Sequence, residues 1–333
     1  MSLHACVIGC GDMGKQHARA WHARPDADLV AVCDPIEERR SALADELGVK
    51  AYADCEAAIA QDGVDVVSVC TPTCFHAEIA CFALSRGRHV LSEKPLATSI
   101  ADADAMIRTA REHGVLLSTS FQSRAFPHNA RLKALMADGS FGAPLFVRYV
   151  DVRDVRRKMA MHRRSMNNGP VLDMACHYFD LMRHFTGAEP ISVFATGHVF
   201  GQGKPRLAEV DDLAIDAADI QVRYEDGHVL SAFVNWGMPE GCENVASELI
   251  VSPTSLARRE GDAFKIAIAG KEEVVGTKFM GPEPRIANLA EAIQGKAELE
   301  VTGENGRIAL RVSLAAFESI ETGRAVDLTR PQE

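Results

Sequence analysis

The sequence predicts an α/β protein of two domains, a doubly wound parallel sheet over residues 1–122 followed by an α+β domain over 123–333 with its own large sheet. Three observations predict it. Up to about residue 120, short apolar runs alternate with helix-competent segments, which is the rhythm of a parallel sheet covered on both faces. Beyond about Phe121 extended segments follow one another without intervening helices, which indicates an antiparallel or mixed sheet. The 333 residues, 47% hydrophobic and 25% charged, are enough for two domains that each bury a core.

In order, the first strand is Leu3 to Ile8 and the second Leu29 to Cys33. A helix from Ile36 to Leu47 stops at Gly48, and Val49 to Tyr52 is a short strand. Asp54 is placed to cap a helix reaching Ala60, and Val64 to Cys70 is a nearly continuous apolar strand. A helix from His76 to Ser85, a strand at Arg88 to Leu91, a helix from Ile100 to Glu112 capped by Ser99, and a sixth strand from Val115 to Ser120 complete the pattern. The second half predicts a helix from Pro127 to Met136 and a long strand from Leu145 to Val152. A helical run after the Asn167-Asn168-Gly169-Pro170 turn is closed by Gly187. Extended segments follow at Ile191 to Phe200, Leu213 to Tyr224, Val229 to Trp236 and Val245 to Val251, with a hairpin turn at Glu225-Asp226-Gly227. Helices from about Arg285 to Gln294 and Gly306 to Thr322 end the chain.

Composition narrows the partners. A net charge of −10 and a pI near 5.7 argue against nucleic acid and against an anionic membrane surface. No apolar run approaches the length of a membrane span and no signal-peptide succession opens the chain, so a cytoplasmic location is expected. The nine cysteines are an odd number without a C-x-x-C pair, and many fall in apolar strands, where they read as small buried hydrophobes of a reducing compartment. The expected partner is a small molecule.

Gly9-x-Gly11-x-x-Gly14 lies between the first strand and a helix-competent run. There Gly9 permits a tight turn, Gly11 lets the backbone approach a pyrophosphate, and Gly14 lets the helix sit close on the strand. The first-turn amides, at Asp12 and Met13, supply donors and positive dipole. Asp34 ends the second strand 20 residues after Gly14, where an acidic side chain meets a ribose 2′-hydroxyl. The motif predicts a Rossmann dinucleotide site, and Asp34 favours NAD over NADP because a carboxylate repels a 2′-phosphate. Arg39 and Arg40 lie further on, in the next helix, and read as solvated cations.

Open α/β sheets bind ligands at the carboxyl ends of their strands, so Thr71-Pro72-x-x-x-His76 and Glu93-Lys94-Pro95 belong to the same region. A lysine there can aim its ammonium at a substrate oxygen, the alternative being a solvated loop lysine. Asp173 and His177, at i and i+4, share one face if helical, with Asp180 on a neighbouring part of it. A carboxylate beside an imidazole is a general-base unit; it can equally be a plain surface ion pair, and no third ligand makes it a metal site.

Taken together, Gly9-x-Gly11-x-x-Gly14, Thr71-Pro72-x-x-x-His76, Glu93-Lys94-Pro95 and Asp173-x-x-x-His177-x-x-Asp180 resemble the oxidoreductase family of glucose-fructose oxidoreductase, inositol dehydrogenase and MocA, along essentially the whole chain. The resemblance implies a Rossmann domain followed by an α+β domain whose large, mostly antiparallel open sheet forms a homodimer or homotetramer interface. It also implies a cis Lys94–Pro95 bond. It implies cofactor contacts at Gly9, Gly11, Asp12, Met13, Gly14, Asp34, Thr71, Pro72, His76, Glu93 and Lys94, and a catalytic set of Lys94, Asp173 and His177. In that set His177 takes a hydroxyl proton, Asp173 orients it and Lys94 holds the reacting oxygen, although some relatives give the acid role to the lysine. Lys94, Arg124, Asp173 and His177 are then the substrate contacts, with Asn235 and Trp236 facing the substrate. The reaction implied is NAD-dependent interconversion of a secondary hydroxyl and a ketone on a cyclitol or sugar. Alternatives are a keto-sugar or sugar-acid reductase, a diol dehydrogenase, a glycosidase with tightly held NAD, or a non-catalytic NAD-binding sensor. The cationic run Arg153, Arg156, Arg157, Lys158, Arg163 and Arg164 stands out in an acidic chain and reads either as recognition of an anionic substrate group or as a solvated or subunit-contacting loop.

Overall fold

A computed structural model describes residues 2–329. Internal contacts divide the chain into two compact units, one holding the chain through Gln122 together with Met280–Arg307, the other Ser123–Phe279 together with the chain from Ile308 on.

The first unit is a six-stranded parallel sheet of β1 (Leu3–Ile8), β2 (Ala27–Cys33), β3 (Lys50–Tyr52), β4 (Val66–Val69), β5 (His89–Ser92) and β6 (Leu117–Thr119), in the order β3-β2-β1-β4-β5-β6. The order reverses between β1 and β4, the position at which doubly wound sheets bind their ligands. Helices α1 (Asp12–His22), α2 (Glu37–Leu47), α3 (Cys55–Ile59), α4 (His76–Ser85) and α5 (Ile100–Glu112) connect the strands. Their boundaries follow the local chemistry. Gly48 ends α2 in the left-handed region at φ 67°, Asp54 caps α3 by accepting from the Ala57 amide at 2.7 Å, and Ser99 caps α5 by accepting from Asp102. All four residues of β4 are buried, as a strand covered on both faces requires.

A single cut after residue 122 assigns residues 280–307 to the second half, yet they pack within the first unit. Helix α9 lies in this stretch (Glu283–Ile293; α6 to α8 are given below), and its Ile286, Leu289 and Ala290 enter one core with Val7, Ala18, Trp21 and Leu43. Burial of that apolar stripe, which no signal near residue 122 announces, fixes the partition.

The second unit carries a nine-stranded sheet of β7 (Phe146–Asp154), β8 (Pro190–His198), β9 (Ala217–Tyr224), β10 (Val229–Met238), β11 (Val245–Val251), β12 (Ser255–Glu260), β13 (Ala263–Ile268), β14 (Lys271–Gly276) and β15 (Val326–Asp327). Its order is β14-β13-β12-β11-β7-β10-β9-β8-β15, antiparallel except where β10 runs parallel to β7. The β9–β10 hairpin turns at Asp226 (φ 58°) and Gly227 (φ 80°). Along β7 the side chains alternate, Val147, Tyr149 and Asp151 buried and Phe146 and Arg148 exposed, so one face is covered and the other open. The unit's helices are α6 (Pro127–Ala137), α7 (Gly169–Asp173), α8 (Ala175–Thr186) and, continuing from the first unit, α10 (Gly303–Thr322). Tyr178 of α8 stacks on Tyr149 of β7 with ring centroids 4.2 Å apart, fixing α8 on the covered face.

The run expected to be one helix from Gly169 to Gly187 is two. The chain leaves regular helix at Met174 (φ −108°, ψ −48°), and the His177 amide bonds the Met174 carbonyl at 3.1 Å, a tighter i to i+3 closure. Asp173 therefore ends α7 and His177 lies in the first turn of α8, rather than one above the other on an unbroken helix face.

Candidate functional site

In the first unit, main-chain bonds just past the strand ends set the motifs side by side. The Gly9 amide donates to Cys33 O, Cys70 N to Ile8 O, and Glu93 N to Val69 O, at 2.7, 2.7 and 2.8 Å. Gly9 sits at φ 95°, and a Cβ there would meet the Cys70 carbonyl oxygen at 2.7 Å; a Cβ on Gly14 would be driven into the Gly9 carbonyl. Around Gly11 a Cβ would meet nothing within 4 Å, and Gly11 caps α1 without any side-chain hydrogen bond. The turn is thus closed to side chains where it folds on itself and open at Gly11 before the first-turn amides of Asp12 and Met13, which suits a pyrophosphate.

Asp34 is buried, and its two carboxylate oxygens accept from the Cys10 and Ile36 amides at 2.8 and 2.9 Å. The bonds aim the carboxylate beside the glycine turn. His76 spans two strand ends, its Nδ1 2.9 Å from the Pro95 carbonyl and its Nε2 2.9 Å from the Thr71 carbonyl. Both partners only accept, so a ring serving both donates from each nitrogen. The Lys94–Pro95 bond is cis. Glu93 is buried against His17, Nε2 to Oε1 3.0 Å, and also accepts the Lys94 amide at 3.3 Å. Burial pushes the Glu93 carboxyl up, but the hydrogen bond and charge of His17 and the Lys94 ammonium outweigh it and hold the group at about 2. Glu93 is therefore a fixed anion directly before Lys94. Burial pushes the Cys10 and Cys33 thiols up to about 12, which leaves them inert packing groups.

In the second unit, Asp173, His177 and Asp180 are all buried, His177 with 6% of its surface exposed. Its Nδ1 lies 3.2 Å from the Ser123 hydroxyl, and Ser123 O accepts from Asn129 Nδ2 at 2.9 Å, so α6 supports the residue that holds the ring. Arg124, expected to contact substrate, is buried and forks onto Asp180 with bonds of 2.8 and 2.5 Å. Asp151 takes the guanidinium of Arg153 at 2.8, 3.0 and 2.6 Å and the indole N–H of Trp236 at 2.8 Å. The Asn235 side chain turns inward, accepting from Gly237 N at 2.8 Å.

In the first unit the glycine turn, Asp34, Thr71, Pro72, His76, Glu93 and Lys94 stand at adjoining strand ends; in the second, Ser123 and Arg124 hold His177 and Asp180 of α8, and Asp173 ends the preceding α7. Sequence reasoning missed three contributors, Asp151, Ser123 and His17, and the pairing of a residue it had named, Asp180 with Arg124. Asp151 had a signal, since it stands at i and i+2 with Arg153 on a strand and shares its face. Ser123, the Asp180 partner of Arg124, and His17 had none, because their contacts join distant segments.

Two family models match the chain, one described as an oxidoreductase family with an NAD-binding Rossmann fold over residues 3–121, the other as the GFO/IDH/MocA C-terminal domain over residues 129–252. The first unit is accordingly an NAD-binding Rossmann domain. The chain is 29% identical to a myo-inositol 2-dehydrogenase of Thermotoga maritima over 97% of both chains. It is 26% identical to an NAD-dependent scyllo-inositol 2-dehydrogenase of Bacillus subtilis, over 98% of this chain and 96% of that one. A crystal structure of an oxidoreductase domain protein from Kribbella flavida has the same fold, with a TM-score of 0.89 at 24% identity and complete coverage of both chains.

Proposed function

The chain belongs to the glucose-fructose oxidoreductase, inositol dehydrogenase and MocA family of oxidoreductases, and from that premise we propose that it interconverts a secondary hydroxyl and a ketone on a cyclitol or sugar. The observation that carries the reading is His177, a nearly buried imidazole with one nitrogen held by Ser123 and with Asp173 four residues upstream, in a chain that also has the dinucleotide turn. When bound, the dinucleotide supplies the hydride acceptor. Gly9, Gly11, Asp12, Met13 and Gly14 hold its pyrophosphate, Asp34 its ribose, and Thr71, Pro72, His76 and Glu93 shape the strand ends beside it. In the proposed oxidation His177 takes the hydroxyl proton, Asp173 stabilises the imidazolium that forms, and Lys94 holds the reacting oxygen. Arg124 acts through Asp180, as a positioning residue under α8. The relatives named as inositol dehydrogenases make cyclitols the first substrates to try.

The test is NADH formation at mildly alkaline pH with a panel of inositols, aldoses, uronates and amino-cyclitols, beside Lys94→Ala and His177→Ala. Turnover of one substrate class, lowered about 10²- to 10⁴-fold in both variants with NAD binding retained, supports the reading. Tight NAD binding without turnover across the panel turns it towards a sensor. The general base of the oxidation is identified by the pH profile: the variant that loses the alkaline rise in kcat/KM has lost the proton acceptor.

We propose in addition that the open face of the nine-stranded sheet forms a homodimer or homotetramer interface. Phe146 and Leu249 stand on that face, and the register places Phe233 and Phe194 on it too.

A further inference from the structure

The cationic run seen in the sequence is mostly neutralised or solvated. Arg153 is matched by Asp151 at 2.6 Å and Arg163 by Asp211 and Asp212 at 2.7 and 3.0 Å, while Arg157 and Arg164 are exposed. Arg156 is neither. It is partly buried, its guanidinium carbon stands 5.3 Å from the centroid of the Trp236 ring, and no carboxylate among the described residues lies within 4.0 Å of its nitrogens. The carboxylates that act on it from further away are Asp173, Asp151 and Asp154. Of these, Asp151 is held by Arg153 and by the Trp236 indole, and Asp154 accepts the Gly241 amide at 3.1 Å. Burial and the adjacent Arg153 charge pull Arg156 below the usual guanidinium range. A partly buried guanidinium on an aromatic face, without a fork-to-fork partner, is suited to a planar anion arriving from outside. Trp236, on whose ring Arg156 stands, belongs to β10, and α7, the helix that ends at Asp173, packs on that strand.

We propose that Arg156 is a specificity-determining residue of the substrate site and selects a sugar or cyclitol bearing a single carboxylate, a uronate or its equivalent. The proposal rests on the dehydrogenase reading and names its substrate class. A carboxylate is favoured over a phosphate dianion because a single negative charge meets less repulsion from Asp173, Asp151 and Asp154, the carboxylates that act on Arg156. The planar two-oxygen group also matches the guanidinium fork, and Trp236 holds that fork from behind.

Turnover of glucuronate and galacturonate is compared with that of glucose and galactose in the wild type, Arg156→Met and Arg156→Lys. The expected result is a kcat/KM preference for the acids that falls about 100-fold in Arg156→Met, mainly through KM, and less in Arg156→Lys. A wild type that prefers the neutral sugars or the sugar phosphates overturns the proposal, and so does an Arg156→Met variant that loses acid and neutral turnover equally. If Arg156→Met fails to fold, the wild-type preference and the Arg156→Lys variant decide. Calorimetric titration of the two uronates into the protein loaded with NADH separates this proposal from the reading beneath it. Uronates that bind to the wild type but not to Arg156→Met, with no sugar turned over, sink the dehydrogenase and leave the acid site standing. Turnover of neutral sugars with no uronate bound does the reverse.

Discussion

The six-stranded and the nine-stranded sheets differ in what covers them. In the first, β4 is buried on both faces and the functional groups stand at the carboxyl ends of strands, many of them main-chain atoms: the Gly9 turn and the Thr71 and Pro95 carbonyls. In the second, strands alternate between a covered and an open face, and the functional groups are side chains of the covered face and of the two helices packed on it: Asp151, Trp236, Asp173 and His177. A site made of turns tolerates few changes of backbone, because its glycines are fixed by close approach. One made of side chains on a broad sheet can change its contacts while the sheet stays as it is. Cofactor recognition sits on the first kind of frame, and the proposed substrate recognition on the second.

The contrast can be broken most severely at the buried pair under α8. Arg124→Met leaves Asp180 ionised and buried, and should destabilise the second unit by about 3–5 kcal/mol in urea unfolding, while Arg124→Met with Asp180→Leu recovers much of the loss. If the single variant is as stable as the wild type, the pair does not hold that helix. In the first unit the corresponding buried charge is Glu93. Its carboxyl is held at about 2 against an ordinary 4.5, so the unfolded chain takes up this proton first. The stability it contributes is complete above about pH 4.5 and is lost as pH falls towards 2. The gap in unfolding free energy between wild type and Glu93→Gln should therefore be about 3 kcal/mol near pH 6 and should close over that window. A gap that stays constant down to pH 3 contradicts the assignment.

Asp34→Ala should raise KM for NAD about tenfold and narrow the preference over NADP, with kcat on the sugar little altered. A kcat loss as large as that of His177→Ala would mean that the two frames are not separable in function. The mildest effect is expected on the open face, where Phe146→Lys with Leu249→Lys should lower the molecular mass in solution and leave the unfolding midpoint of dilute protein within a few degrees. An unchanged mass removes that face as the interface.

The legibility of the two units follows the same division. In the first unit, glycine turns, caps at Asp54 and Ser99, and uninterrupted apolar strands are local chemistry, so their places could be read within a residue or two. In the second, β14 (Lys271–Gly276) is an exposed edge strand that offers no apolar face to read, while β12 and β13 are six-residue runs that bury only Ser255, Ala257, Phe264 and Ile266. The break at Met174 was illegible for another reason: helical spacing on both sides continues through it. Asp173 and His177 were found as a pair by their spacing, but Ser123 and Asp180 gain their partners from segments more than fifty residues away, which no window of sequence contains.

Helix α9 constrains how the chain can be recombined. Because residues 280–307 return to the first unit, the chain passes from one unit to the other three times, after residues 122, 279 and 307. A recombination event with a single crossover at 122 would graft a foreign nucleotide half onto the host's own Ile286, Leu289 and Ala290, setting them against an unmatched Trp21 and Val7. Chimaeras of this chain with its relatives should therefore keep residues 280–307 from the same parent as residues 1–122.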